Sequence, residues 1–396
     1  MSVAGVMPPS LACAPGNPFT ERMPNDPRPA PPKHRDWAPR VWEGSDFFAW
    51  LRLLSRNRFR VEPPYWYIAA IVSCVSFGQT LLRWSQSSLH GDRIARTPFA
   101  QPPIFVLGHW RTGTTLLHEL LILDGRHTSP TTLQCFEPCN FLLTEGLFKK
   151  FGSILLPDKR PMDNMAAGWD RPQEDEFALA LLGLPSTYTD FAFPSNPPLH
   201  PGALDLSGLT ASELATWKRT FFRFIQSVAY KDPRRLVLKS PPHTARIPAL
   251  LELFPDAKFV HIVRDPRVLF SSTVNLWMSM AKRHGFQMPK RTEALDAKVY
   301  REFRIIHERY EATKALIPAG NLVEVRYEEV VKDLVGGTER IYAGLGLDGF
   351  EGVRPKLEAY AKRSSNYETN KYELTPEQKA RIAAEWGDII AELRYG

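Results

Sequence analysis

From about residue 100 the chain alternates short, continuously apolar runs with longer segments of helical period. PIFVLG (103–108) has no polar side chain, the pattern of a strand buried on both faces rather than of a half-exposed one. A Gly/Thr turn and the apolar helix TTLLHELLILD follow it. RLVLKS (235–240) leads in the same way into TARIPALLELF, AKFVHIV (257–263) into RDPRVLFSSTVNLW, and NLVEVRYE (321–328) into EEVVKDL. Strands alternating with helices at this spacing predict an α/β fold, a mostly parallel sheet flanked by helices on both faces. Between the first two runs, residues 129–232 are rich in aromatic residues and proline and read as irregular helices. In such a fold that insertion sits beside the carboxyl edge of the sheet, where ligands bind.

The pattern before residue 100 is different. Residues 41–100 predict a helical extension, with Phe47, Trp50, Leu51 and Leu54 on one face and Arg52, Arg56, Arg58 and Arg60 elsewhere. Residues 63–82 carry no formal charge and reach the roughly 20 residues that span a bilayer. Their apolar residues Ile68, Ile71, Val72 and Val75 recur at helical spacing, yet Ser73, Ser76, Gln79 and Thr80 lie among them. A helix packed on the body is the first reading, a helix lying in a membrane interface the second, and a spanning helix the third. Residues 1–40 hold ten of the 35 prolines and few large aliphatics, so they bury too little apolar surface to order themselves and predict a disordered arm. Residues 101–396 are left as the main domain.

Composition narrows the class. With 43% apolar and 23% charged residues over 396 positions, the chain is a globular protein and neither a fibrous nor a fully disordered one. The formal charge of +7 favours anionic ligands without choosing among nucleic acid, membrane surface and phosphorylated small molecule. No basic block occurs, which argues against nucleic acid as a partner. Cys13, Cys74, Cys135 and Cys139 form no CxxC pair and suggest reduced thiols rather than a zinc site or disulfides. The start of the chain lacks the basic and apolar regions of a secretion signal. The expected location is therefore cytoplasmic, with membrane association through residues 63–82 as the variant.

The chemistry concentrates at two strand ends. Gly108-His-Trp-Arg-Thr-Gly-Thr-Thr directly follows the first strand and opens a helix, so backbone N–H groups and the helix dipole converge on one anion seat. Gly108 and Gly113 keep the glycine spacing of the nucleotide-triphosphatase loop, but Thr114 stands where that loop needs lysine, and the basic residue is Arg111. No strand ends in a magnesium-binding aspartate. The expectation is a P-loop-like site that binds phosphate without a metal clamp. At the third strand's end, Arg264 precedes Pro266 at a helix start, with Ser271 and Ser272 a little over one turn on. Arginine's planar fork and a serine hydroxyl suit phosphate oxygens; alternatively, the RDPR run is an Arg–Asp pair capping the helix.

Together these segments resemble the two signatures of the PAPS-dependent sulfotransferases (PAPS is 3′-phosphoadenosine-5′-phosphosulfate). The 5′-phosphosulfate loop is matched by Arg111-Thr112-Gly113-Thr114-Thr115, and the 3′-phosphate signature by Arg264 and Ser272. The RDP wording and the loop arginine are closer to the bacterial, Golgi tyrosylprotein and carbohydrate branches than to the cytosolic aryl enzymes. The likeness covers roughly residues 100–345. It implies PAPS as co-substrate, no metal, and a sulfuryl group moved in line to a hydroxyl or amine. It also implies that Arg111 contacts the 5′-phosphate and its bridging oxygen, and that Tyr327, in Arg326-Tyr-Glu-Glu, lies near the adenine. A tyrosine at a strand end is just as often core packing.

The resemblance further implies that Lys239, at the end of the second strand, steadies the transferring group. His243 stands two residues farther from that lysine than the acceptor-side histidine of the cytosolic branch. It is either a general base, for which neutral imidazole is suited, or a histidine capping the next helix. The rival base is a carboxylate in Gln173-Glu-Asp-Glu. There Glu174 falls nearest the inward face formed by Phe177, Ala180, Leu181 and Leu184, while Asp175 points away, and acids in a first turn also complement the helix dipole. Glu137 is a further candidate. Trp169, Tyr188, Phe191 and Phe193 suggest a partly apolar acceptor pocket or ordinary core. Small-molecule, glycan and lipid acceptors all fit. The alternative function is a P-loop nucleotide or small-molecule kinase.

Overall fold

Each of the four apolar runs forms a strand, and a fifth joins them. The computed structural model describes residues 40–151, 168–364 and 373–395. Within them lie β1 (Ile104–Leu107), β2 (His127–Thr128), β3 (Arg235–Lys239), β4 (Lys258–Val263) and β5 (Leu322–Arg326), all parallel, in the order β2-β3-β1-β4-β5. β2 has only two residues, too few to show a period in the sequence. The strands alternate between two cores, as period-2 geometry requires. Phe105, Leu107, Leu236, Leu238 and Phe259 face one core, and Ile104, Val106, Val237, Val260 and Ile262 the other.

The second core is closed by α3 (Thr114–Ile122), α11 (Tyr327–Lys332), α12 (Leu334–Gly344) and α13 (Phe350–Ser364). The first is closed by the insertion and by the long helices that follow. The insertion holds α4 (Thr132–Phe136), α5 (Phe141–Phe151), α6 (Asp175–Leu181) and α7 (Ala211–Lys231); then come α8 (Ile247–Leu253), α9 (Pro266–His284), α10 (Glu293–Thr313) and α14 (Pro376–Glu392). The helix expected from Thr244 is delayed. Pro241–Ala245 is a 3-10 turn, and α8 begins only at Ile247 with a proline in its first turn, the position a helix tolerates best. α14, which carries no motif, anchors the C-terminal end through Trp386, fully buried against Tyr300 and Phe303 with its indole N–H donated to the Tyr300 carbonyl (3.1 Å).

The extension packs onto the first core. A 3-10 turn, Val41–Gly44, precedes α1 (Phe47–Arg56) and α2 (Trp66–Ala95). Trp42 donates its indole N–H to the His284 carbonyl (2.7 Å), and Trp50 packs on Phe286. Both expected faces are rotated. In α1 the buried positions are Ala49, Trp50, Leu53 and Leu54, while Leu51 is exposed; in α2 Ile68 and Val72 are buried and Ile71 and Val75 are exposed. Ile94 is buried near its end, and the inward positions between are polar, namely Ser76, Gln79, Thr80 and Gln86, because partners on the body satisfy them. The arm expected over 1–40 lies, apart from Arg40, outside the described residues.

Candidate active site

The glycine-threonine turn after β1 takes its shape from three backbone positions with positive φ, Gly108, Arg111 and Gly113. At Gly113 (φ +105°) a Cβ would sit 2.4 Å from a ring carbon of Tyr327, so only glycine fits the approach. Arg111 itself is left-handed (φ +71°), a conformation that is costly for a side chain with a Cβ and is held here by its surroundings. The Gly108 N–H donates to Thr244 Oγ1 (2.7 Å), and the Thr112 hydroxyl donates to the His109 carbonyl (2.7 Å), closing the turn on itself. His109 is buried, which pushes its imidazole down to about 4. It is neutral at pH 7, so Arg111 is the cation of this turn.

β4 lies beside β1, and its tip meets the same turn. Arg264 donates to the Arg111 carbonyl (3.0 Å), and Arg111 Nε donates to Ser272 Oγ (2.8 Å) on the first turns of α9. The Arg264 guanidinium lies 4.1 Å from the centroid of the Tyr327 ring. Arg111, Arg264, Ser272 and Tyr327, from three different strand ends, thus form one contiguous surface at the point where the chain crosses from β3 over β1 to β4, the position at which open α/β sheets hold their ligands. The capping reading of the RDPR run holds for Asp265 and Arg267. Asp265 caps α9 through the Arg267 N–H (3.0 Å) and pairs with the Arg267 side chain, while Arg264 turns to the loop.

At the end of β3, Lys239 is 1% exposed. Its ammonium lies 2.6 Å from Glu174 Oε1 and 3.4 Å from Thr115 Oγ1, linking the turn to the start of α6. The other Glu174 oxygen accepts from the Tyr188 hydroxyl, which in turn accepts from Trp110 Nε1 (2.9 Å). Burial first, and the negative charge of Glu174 next, raise the Tyr188 phenol well above its usual value, so it is fixed as a donor.

The two acids after Glu174 correct an expectation. Asp175 does not point away. It is fully buried with an oxygen 3.0 Å from His243 Nε2, and Glu176, equally buried, forms a two-pronged pair with Arg246 (2.6 and 3.1 Å). Helix-dipole stabilisation is therefore not their main role. Glu174, Asp175 and Glu176 face Lys239, His243 and Arg246 in order. His243 is 0% exposed and enclosed by Phe105 and Phe221; it caps no helix, and its ring opens onto the core.

Glu137 lies elsewhere, at the end of α4 under α2, where it accepts from Gln79 (2.6 Å); burial pushes it up to about 8. Tyr188, Phe191 and Phe193 are core residues, with Tyr188 and Phe191 packed around Trp277, whereas Trp169 meets Phe148 edge to face. Cys135 and Cys139 are buried thiols whose titration burial drives upward. The aromatic support of Glu174 and the Glu176–Arg246 pair were not visible in the sequence, although three consecutive acids and three spaced bases were.

Comparison with known proteins supports the same assignment. The sulfotransferase family model matches residues 102–352, more than half of the chain. The chain is 44% identical over 362 residues, 91% of its length and 92% of the relative's, to omega-hydroxy-beta-dihydromenaquinone-9 sulfotransferase Stf3 of Mycobacterium bovis, and equally to that of Mycobacterium tuberculosis. In fold it is similar to sulfotransferase STF9 from Mycobacterium avium, with a TM-score of 0.61 at 18% identity over 88% of this chain and 96% of that one. STF1 from Mycobacterium tuberculosis H37Rv gives 0.54 at 18% identity over 86% and 94%. The kinase alternative finds no support in these matches. With its two signature turns joined at one sheet edge, the chain belongs to the PAPS-dependent sulfotransferase family and is an enzyme of sulfuryl transfer.

Proposed function

We propose that this enzyme transfers the sulfuryl group of PAPS, without a metal, to the hydroxyl of an apolar lipid alcohol, with Glu174 rather than His243 as general base. The observation that carries the choice of base is the 2.6 Å pair of Lys239 and Glu174 beside Thr115, which sets a cation and a carboxylate together next to the phosphate turn. His243, fully buried against Asp175, has no opening toward an acceptor. It is a positioning residue, one of three rungs that hold the start of α6 against residues 239–246.

The donor set fits a bisphosphorylated nucleotide. Arg111, the N–H groups at the start of α3, and the hydroxyls of Thr112, Thr114 and Thr115 suit the 5′-phosphosulfate, with Thr112 acting mainly by closing the turn. Arg264 and Ser272 suit the 3′-phosphate, and Tyr327 the adenine side. In the reaction the acceptor oxygen forms a bond to sulfur as its proton passes to Glu174. The bond from sulfur to the 5′-phosphate oxygen breaks, giving a sulfate ester and 3′,5′-adenosine diphosphate. Lys239 and Arg111 neutralise the charge that builds on the sulfuryl and bridging oxygens, the main catalytic term in such transfers. A sulfuryl group carries less charge than a phosphoryl group, so side-chain cations suffice.

The acceptor class rests on the relatives at 44% identity, whose names give an omega-hydroxylated dihydromenaquinone. The test is a transfer assay with labelled PAPS and a hydroxylated menaquinone in detergent, with and without chelator. Chelator-insensitive formation of a sulfate ester is expected. Activity that vanishes with chelator and returns with magnesium, or labelling only of water-soluble hydroxyls, overturns the reading.

A further inference from the structure

α2 is built the wrong way round for a helix on the surface of a water-soluble protein. Ile68, Val72 and Ile94 are buried on its inner face, but between them, from Ser76 to Gln86, that face is polar and engaged. Gln79 donates to Glu137 and accepts from Asn140, Gln86 donates to the Cys139 carbonyl (3.2 Å) and accepts from the Leu142 N–H (2.9 Å), and Thr80 accepts from the Phe47 N–H (2.9 Å). Its outer face is apolar and open, with Trp66 63%, Tyr67 54%, Ile71 48%, Phe77 59%, Leu81 48% and Trp84 58% exposed. At about 1.5 Å per residue the stretch from Trp66 to Trp84 is roughly 28 Å long. It has no charged residue on that face, since Arg83 turns to Asp46. Phe48, 57% exposed, extends the patch through Phe47, whose ring meets that of Phe77. Contiguous apolar surface of this extent marks a binding face.

We propose that this face docks on an anionic lipid bilayer, with α2 lying in the plane of the interface. Three observations select that occupant. Helix and preceding turn, Pro63–Ala95, are long and apolar enough to cross a membrane, but crossing would strip Gln79, Gln86, Glu137 and Asn140 of their partners in hydrocarbon, where each unsatisfied polar group is strongly disfavoured. Tryptophans stand near both ends of the patch, the residue type that seats at the headgroup level. Arg56, Arg58 and Arg60 are exposed just before α2, giving the positive margin that attracts anionic headgroups. The docked helix is tied by Gln79 to the end of α4, which packs on α6, whose N-cap is Glu174. The inference therefore deepens, and rests on, the lipid-acceptor reading, because it brings the insertion to the surface in which such an acceptor is dissolved.

The test is flotation of the full chain with vesicles of phosphatidylcholine alone and of phosphatidylcholine mixed with phosphatidylglycerol, beside the variant Trp66→Ser/Phe77→Ser/Trp84→Ser. The substituted residues are exposed, and unchanged affinity for 3′,5′-adenosine diphosphate verifies the fold. The native chain is expected to float with the mixed vesicles and the variant to lose about tenfold or more in partitioning. Equal binding to both vesicle types overturns the part assigned to the arginines. No flotation of the native chain, or light scattering that shows a dimer which the variant converts to monomer, overturns the proposal in favour of a bare surface or a second copy. An Arg264→Ala chain that floats without binding the nucleotide separates the two readings, since it removes the nucleotide site and leaves the docking face intact.

Discussion

The turn after β1 and the start of α6 both present charge to the same edge of the sheet, yet they are assembled in opposite ways. In the turn, the residues that matter are neighbours in sequence, two glycines and an arginine take up positive φ, and Arg111 and Arg264 are brought together with Ser272 and Tyr327. At α6, three consecutive acids meet three bases from about 65 to 70 residues away, and two of the three pairs are sealed from water. A cation paired with a buried carboxylate is spent on holding the backbone. Charge thus gathers side chains from several strand ends in one region and fixes the start of α6 in the other, with Lys239–Glu174, the least enclosed of the three pairs, at the join.

The sharpest way to break this contrast is Glu174→Gln against its neighbours. If the first acid alone takes part in chemistry, that variant loses about 10²–10⁴-fold in kcat while melting near the native temperature. A loss of stability with little change in kcat would make all three rungs structural. Arg246→Leu tests the opposite end. It strands the Glu176 carboxylate where no water reaches, and it should cost about 3–5 kcal/mol in unfolding free energy, read by chemical denaturation, with nucleotide affinity per folded molecule unchanged.

Arg264→Ala probes the turn. Removing its charge-assisted contacts should weaken binding of 3′,5′-adenosine diphosphate by about 2–4 kcal/mol in calorimetry, and equal affinity would refute the 3′-phosphate assignment. The smallest effect, taken per pH unit, is expected at Glu137, a buried acid with an amide partner, Gln79, in place of a guanidinium. Burial raises it from 4.5 to about 8, so the folded protein holds a proton there that the unfolded chain releases above pH 4.5. That group's contribution to stability is present in full below the unfolded value and falls with rising pH at about 1.4 kcal/mol per unit until the folded value is passed. Glu137→Gln keeps the amide hydrogen bond and should flatten this slope, making the variant the more stable protein at pH 8. A parallel slope in both proteins would show that the acid is ionised where it lies.

Legibility followed the same division. The strands β1, β3, β4 and β5 and the strand–turn–helix corner after β1 were readable because each rests on residues adjacent in sequence: a fully apolar run has few fates other than a buried strand, and a glycine between strand and helix directs N–H groups to one point. The inward face of the acids at α6 was readable for Glu174 but not for Asp175. A helical wheel assumes one buried side, and here the 3-10 turn at 241–245 brings bases up against positions that a wheel assigns to solvent. α1 and α2 misled in a related way, since hydrophobic period marks the residues that water rejects, and in α2 these divide, with Ile68 and Val72 inward and Ile71 and Val75 outward.

The sequence by itself determined the parallel sheet, the glycine turn after β1 and the family, since local backbone preference and nearest-neighbour chemistry are carried by a few consecutive residues. Tertiary structure alone decided which acid pairs with Lys239, that His243 is shut inside the core, and which side of α2 meets the body. Each of those outcomes depends on partners far along the chain, and burial turns one and the same side chain from a solvated charge into a fixed half of a pair.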